Sequence, residues 1–189
     1  MTTNGRSPGP PPAEALGARL TGEYRDVLID PSGRVTWDSG VRPNTIVADC
    51  KRLLCGFVQG RTTTHGITGL RVGQGHDTWD RPPGPPTTLP SDTALADQNP
   101  FTVPAASLRI DYVVGTDVVD TPTNQLQIVA TLGPDEPPWP DADHPNRTLR
   151  EFGLVGTLGT DTVLIDYVIH PAIPRDPEST LKRTIRLVF

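Results

Sequence analysis

The last nine residues alternate: Leu181, Arg183, Ile185, Leu187 and Phe189 fall on one side, and Lys182, Thr184, Arg186 and Val188 on the other. That is the period-two pattern of a half-buried strand, and it builds the C-terminus into the fold. The same alternation runs through residues 107–114, where Leu108, Ile110, Tyr112 and Val114 are offset from Arg109, Asp111 and Val113. It recurs in residues 125–132 with Leu126, Ile128, Ala130 and Leu132. Apolar runs over 67–72, 149–155 and 163–169 read as further strands. Near the start, residues 24–29 and 34–37 flank Asp30-Pro-Ser-Gly33, a turn sequence that predicts a hairpin.

One segment has a different period. After Pro43, the residues Ile46, Val47, Cys50, Leu53, Leu54 and Phe57 recur at helical spacing, with Asn44 placed to cap the N-terminus and Gly60 to end the helix. Asp49, Lys51 and Arg52 lie on the opposite side, so the apolar stripe needs a sheet to cover it. The expected class is therefore mainly β: an antiparallel β-sandwich or curled sheet with one packed amphipathic helix.

Composition sharpens this picture. Among 189 residues there are 22 Pro and 18 Gly, which favours short strands joined by irregular loops. Residues 1–22 are rich in Pro, Gly and small side chains and read as an N-terminal arm, with a single β-rich domain over 23–189. Two long Pro-rich loops, 80–100 and 133–147, are expected to be exposed and locally stiff, partly polyproline II.

Charge and hydropathy exclude some roles. The net charge is -5 with no long basic run, so nucleic acid is not an expected partner. No apolar run reaches the roughly 20 residues that span a bilayer, and the first residues lack a hydrophobic signal core, so assembly in the cytoplasm is expected. Cys50 and Cys55 lie five residues apart on the predicted helix, about 140° around its axis. They read as separate small thiols, neither a disulfide nor part of a zinc site.

Candidate chemistry is sparse. The histidines are His65, His76, His144 and His170, and none belongs to an H-E-x-x-H motif; no serine sits in a G-x-S-x-G elbow. The best metal grouping is His76 with Asp77 and Asp80, set against a turn of ordinary polar residues. Asp135, Glu136, Asp141 and Asp143 crowd one loop that is suited to calcium or paired-carboxylate chemistry, or is simply solvated. Gly69-Leu-Arg-Val-Gly-Gln-Gly75 lacks the third glycine of a nucleotide loop and reads better as a strand ending in a tight turn. Trp79 and Trp139 are candidate subunit contacts, with sugar stacking as the other use of such rings; Phe101 joins them as a contact candidate. Neither a metal nor a cofactor is expected.

The order of these signals carries a resemblance. The helix Val47-Ala-Asp-Cys-Lys-Arg-Leu-Leu-Cys-Gly-Phe57 is followed by Gly66-Ile-Thr-Gly-Leu-Arg-Val-Gly-Gln-Gly75, by Asp92-Thr-Ala-Leu95, and by Leu149-Arg-Glu-Phe-Gly-Leu154. Over roughly residues 44–189 this resembles structural proteins of tailed phages and contractile injection systems, in particular the collar-type domains that open many tail-fibre proteins. The resemblance implies a non-enzymatic particle component in which Val72, Gly73 and Gly75 shape a turn and Glu151, Phe152, Gly153 and Leu154 form a central strand. Fibre proteins of this type continue into a shaft and tip, whereas this chain stops at Phe189, so a collar, baseplate-peripheral or fibre-attachment adaptor is the expectation. It would act as a homo-oligomer among other tail or baseplate subunits. The competing expectations are a carbohydrate-binding module using Trp79, Trp139 and the acidic loop, and a small hydrolase with His76 or His144 as base.

Overall fold

The computed structural model describes residues 20–189. The expected arm over 1–22 lies outside these residues, except that Thr21 and Gly22 already belong to the first strand. Among the described residues, two antiparallel sheets, one of them curled toward a half-barrel, enclose the core, and a single α-helix lies beside them. The larger sheet is ordered β2(Val35–Asp38), β1(Thr21–Ile29), β13(Thr180–Val188), β9(Gln125–Leu132), β7(Arg109–Val114) and β8(Asp117–Val119), and the short β3(Arg42–Pro43) also pairs with β1. The smaller sheet runs β4(Thr45–Ile46), β12(Asp166–Ile169), β10(Glu151–Leu158), β5(Thr64–Gly73) and β6(Phe101–Pro104), with β11(Asp161–Leu164) pairing with β10.

The C-terminal strand is the spine of the larger sheet. Its inward residues meet partners of the same parity on both sides: Leu181 faces Leu28 and Leu132, Ile185 faces Tyr24 and Ile128, and Leu187 faces Gly22 and Leu126. Arg183 occupies the same inner face, between Asp26 on β1 and Ala130 on β9. The aspartate supplies the counter-charge and the small alanine leaves room for the guanidinium. Phe152, Leu154, Leu70 and Val72 of the smaller sheet close the core from the other side.

The predicted hairpin forms, with Gly33 in the left-handed region (φ 85°) at its turn. The helix, α1(Ala48–Val58), starts later than its sequence suggested, because Thr45 and Ile46 pair with β12 instead. Val47 is its N-cap residue and Asn44 does not cap it; the Asn44 amide donates to the buried Asp166 carboxylate (2.7 Å). The helix does end at Gly60 (φ 76°): the Gly60 amide donates to Phe57 O and the Arg61 amide to Gly56 O, a Schellman motif. Cys50 and Leu53 point into the core, while Cys55 is exposed and both thiols are free.

The apolar run 163–169 is two strands. It breaks at Ile165, where the Asp166 carboxylate takes the Leu154 amide (2.6 Å) in place of a ladder carbonyl. Gly153 makes this possible: a Cβ there would lie 2.7 Å from the Asp166 carbonyl oxygen. Strands β6 and β8 were not anticipated, and residues 105–107 form a 3-10 turn ahead of β7.

Candidate functional site

The richest polar constellation sits where β5 ends and β10 begins. Gly73 pairs with Glu151 across the ladder, and a Cβ on Gly73 would come within 2.6 Å of Glu151 Oε1 and 2.7 Å of the Asp97 Cβ. The missing side chain lets the Glu151 carboxylate, itself fully buried, lie across the strand end. There it receives the Asp97 amide on Oε1 (2.7 Å), the Ala96 amide on Oε2 (2.9 Å), and the Tyr167 hydroxyl, which also donates to Oε2. Burial and this carboxylate push the Tyr167 phenol well above its ordinary pKa, so it remains a donor. One glutamate thus pins the loop that follows Asp92-Thr-Ala-Leu95 onto the strand edge, with Leu95 packed over Gly153.

A second layer holds the other loop. Asp97 accepts the Gln74 amide on Oδ2 (2.8 Å) and turns the same carboxylate toward His144 Nε2 (3.2 Å). His144 Nδ1 meets Asp141 Oδ1 (2.7 Å), which also accepts the amides of Asp143 (2.9 Å) and His144 (2.8 Å). The imidazole stacks on Trp139 with centroids 4.0 Å apart. Arg147 donates to the carbonyls of Trp139 and Pro134, and Arg175 to those of Glu136 and Gly133, so arginines satisfy the backbone of this proline-rich loop. Beside it, Arg150 forks onto Asp80 (Nε 3.0 Å, Nη2 2.7 Å, both to Oδ2) and reaches the Gln74 carbonyl (3.0 Å). The Arg150 guanidinium holds the Asp80 carboxyl below its usual range.

These contacts revise the site expectations. Asp80 is committed to Arg150 and the Ala172 amide, Asp77 is exposed, and His76 packs edge-on to Trp79 at 5.1 Å, so the three do not face a common point. In the acidic loop, Asp141 serves His144, Asp143 serves Asn99, Glu136 caps Gly133, and Asp135 stands exposed. Among the described residues no three His, Cys, Asp or Glu side chains are grouped to hold a metal ion. His144 has both ring nitrogens against carboxylates and is 3% exposed, which leaves it no free nitrogen with which to act as a base on a substrate.

Trp79 and Trp139, the candidate contact rings, lie inside the fold. They are 8% and 3% exposed, folded against their own chain. Gly75, in the left-handed region (φ 54°), lies under Trp79, and a Cβ there would fall 2.1 Å from the ring. Phe101 is half-buried on β6 and packs against the core. The loops expected to be exposed are tied down through these aromatic rings and the buried His144.

A separate polar group lies between the sheets. Arg183, fully buried, donates to both oxygens of Asp26 (2.7 Å each) and lies 3.6 Å over the Phe152 ring. Its Nη2 also donates to His170 Nε2 (3.1 Å), while His170 Nδ1 donates to the Pro171 carbonyl (2.8 Å). Burial and the guanidinium lower the His170 pKa to about 4, so the ring is neutral. Asp166, buried nearby, has its pKa raised by desolvation to about 6. The signal for the Asp26–Arg183 pair was present in the sequence: an arginine on an apolar strand face, and an aspartate between Tyr24 and Leu28 on another. Nothing in the spacing joined them.

Compared with family models, with curated proteins and with solved structures, the chain has no match.

Proposed function

We propose that this chain is a structural subunit of a phage tail or phage-tail-like particle, placed at a collar, at the baseplate periphery or where a fibre attaches. It acts by oligomeric assembly and not by catalysis, and it is assembled in the cytoplasm into the tail. One arrangement supports the reading. The three separate motifs that carry the resemblance, the Val72-Gly-Gln-Gly75 turn, Asp92-Thr-Ala-Leu95 and Glu151-Phe-Gly-Leu154, meet in one interlocked unit around the Glu151 carboxylate. Motifs scattered over some eighty positions of sequence have reason to recur together when each is a part of one clasp.

The clasp also suits a subunit that must hold its shape within a particle. Its charged and polar side chains are spent on backbone amides, carbonyls and one another, which rigidifies loops that would otherwise be free to move. On the far side of the larger sheet, Ile110, Tyr112 and Val114 alternate along β7 as exposed apolar side chains on one face, a surface that neighbouring copies or tail subunits would cover. The test is to purify intact tails or tail-like particles by density gradient from the native host and quantify their proteins by mass spectrometry. This chain is expected at a fixed stoichiometry to the tail proteins in every preparation; its loss from the particles on purification contradicts the proposal.

A further inference from the structure

Where β2 and β3 flank β1 in the larger sheet, opposite the connection that follows β12, lies a cleft of about 310 Å³. Its walls come from Tyr24, Trp37, Arg42, His170, Ile173 and Pro174. Arg42 pairs with Tyr24 and Trp37 with Leu28, so all these side chains project from the inner face of the sheet. They converge on the cleft from three strands.

Most polar groups at its base are already matched. Both Asp26 oxygens are taken by Arg183, the Asp26 amide donates to Ser39 Oγ (2.9 Å), and that hydroxyl donates to the Gly40 carbonyl (2.7 Å). Both His170 nitrogens are engaged, and Asp80, behind Ala172, is held by Arg150. Three groups are left over. The Tyr24 hydroxyl, the Trp37 indole N–H and the terminal nitrogens of Arg42 make no hydrogen bond among the described residues, and none of them is among the fully enclosed unsatisfied atoms. They therefore open onto the cleft. Tyr24 is itself 6% exposed, and a buried tyrosine hydroxyl without a partner is uncommon.

The chemistry of the unspent groups selects the ligand. All three can donate, and one is a cation whose Nε is anchored on the Ser39 carbonyl (3.0 Å), with the terminal nitrogens left to fork onto an oxyanion. The adjacent carboxylate, Asp26, is neutralised by Arg183, so the local field favours an anion. The remaining wall is apolar, made by the half-buried Trp37 with Ile173 and Pro174. We infer that this cleft binds the carboxylate of an acidic sugar, a uronic acid whose pyranose ring lies against Trp37 while its carboxylate meets Arg42 and the Tyr24 hydroxyl. The inference does not rest on the particle assignment, and it moves sugar recognition away from the two buried tryptophans.

The experiment is a titration of the whole protein with D-glucuronate, with D-glucose and with a tetraglutamate peptide, followed by NMR on the Trp37 indole resonance. Glucuronate is expected to shift that resonance saturably with a millimolar dissociation constant, the range open to a single small sugar. Glucose, lacking the anion, is expected to bind about tenfold more weakly. Arg42→Gln, at an exposed position, should remove that difference, and Tyr24→Phe should weaken glucuronate while leaving glucose nearly unchanged, each with the circular dichroism spectrum of the parent protein. Equal shifts with glucose and glucuronate, an unmoved Trp37 resonance, or tighter binding of the acidic peptide would each overturn the assignment.

Discussion

Replacing Asp26 by asparagine removes one charge from the most deeply buried ion pair among the described residues. Arg183 is fully buried, both of its bonds to Asp26 are 2.7 Å, and its Nη1 has no partner among the described residues. The neighbours left to the guanidinium are the Phe152 ring at 3.6 Å and neutral His170, neither of which compensates a full charge. Breaking a buried pair in this way costs about 3 to 5 kcal/mol. For a domain of this size each kcal/mol moves the melting temperature by about 2 to 4 °C, so a fall of about 6 to 20 °C is expected. Chemical denaturation with an unchanged m-value, followed by circular dichroism, measures the loss directly. The double replacement Asp26→Leu with Arg183→Met, which exchanges the pair for apolar groups, should recover most of it, because desolvating two charges cancels much of what their attraction returns. A loss below about 1 kcal/mol for Asp26→Asn, typical of a solvated pair, would refute the burial on which the estimate rests.

Three further outcomes follow from the same contacts. Asp166 and His170 oppose each other with pH: the raised Asp166 pKa, from 3.8 to about 6, makes stability fall as pH rises through that window, while the lowered His170 pKa, from 6.5 to about 4, makes it rise from about pH 4 to 6.5. Urea unfolding of Asp166→Asn across this range should therefore show stability increasing with pH, and of His170→Gln decreasing, each by about 2 to 4 kcal/mol; identical profiles for both variants would contradict the assignment. Gly75→Ala places a Cβ 2.1 Å from the Trp79 ring at a φ of +54° and should lower stability by more than the roughly 1 kcal/mol of a left-handed residue alone, read as a reduced denaturation midpoint. In native protein a thiol reagent should modify exposed Cys55 and spare Cys50, whose pKa burial raises to about 11, as peptide mass spectrometry will show.

What the sequence revealed and what it concealed divide along a physical line. Strands such as β9 and β13 were legible because alternation encodes a sheet with one wet face, and each residue reports its own side. The late start of α1 was hidden, since Asn44 serves a carboxylate 122 positions away and no local capping pattern records that. The 163–169 run looked continuous because its break depends on Gly153 in another strand. At the candidate site, the glycines and Glu151 were visible as motif positions, but the partners that give Glu151 its role, Tyr167 and the amides of Ala96 and Asp97, come from elsewhere in the chain. The acidic side chains Asp135, Glu136, Asp141 and Asp143 are exposed, as proline and aspartate in a loop suggest, but Trp139 and His144 of the same loop are buried. Arginines and a histidine from the same neighbourhood bond the loop's backbone and anchor these two rings, which no local pattern records.

The central claim, a structural place in a tail, is tested most directly by electron microscopy of particles from the native host with and without this gene, combined with antibody labelling of the protein. The account predicts label at one end or at the periphery of each tail, and tails that lack fibres or a peripheral collar when the gene is deleted. Normal, unlabelled and fully functional particles from the deletion strain, or a host that makes no such particles, would contradict it.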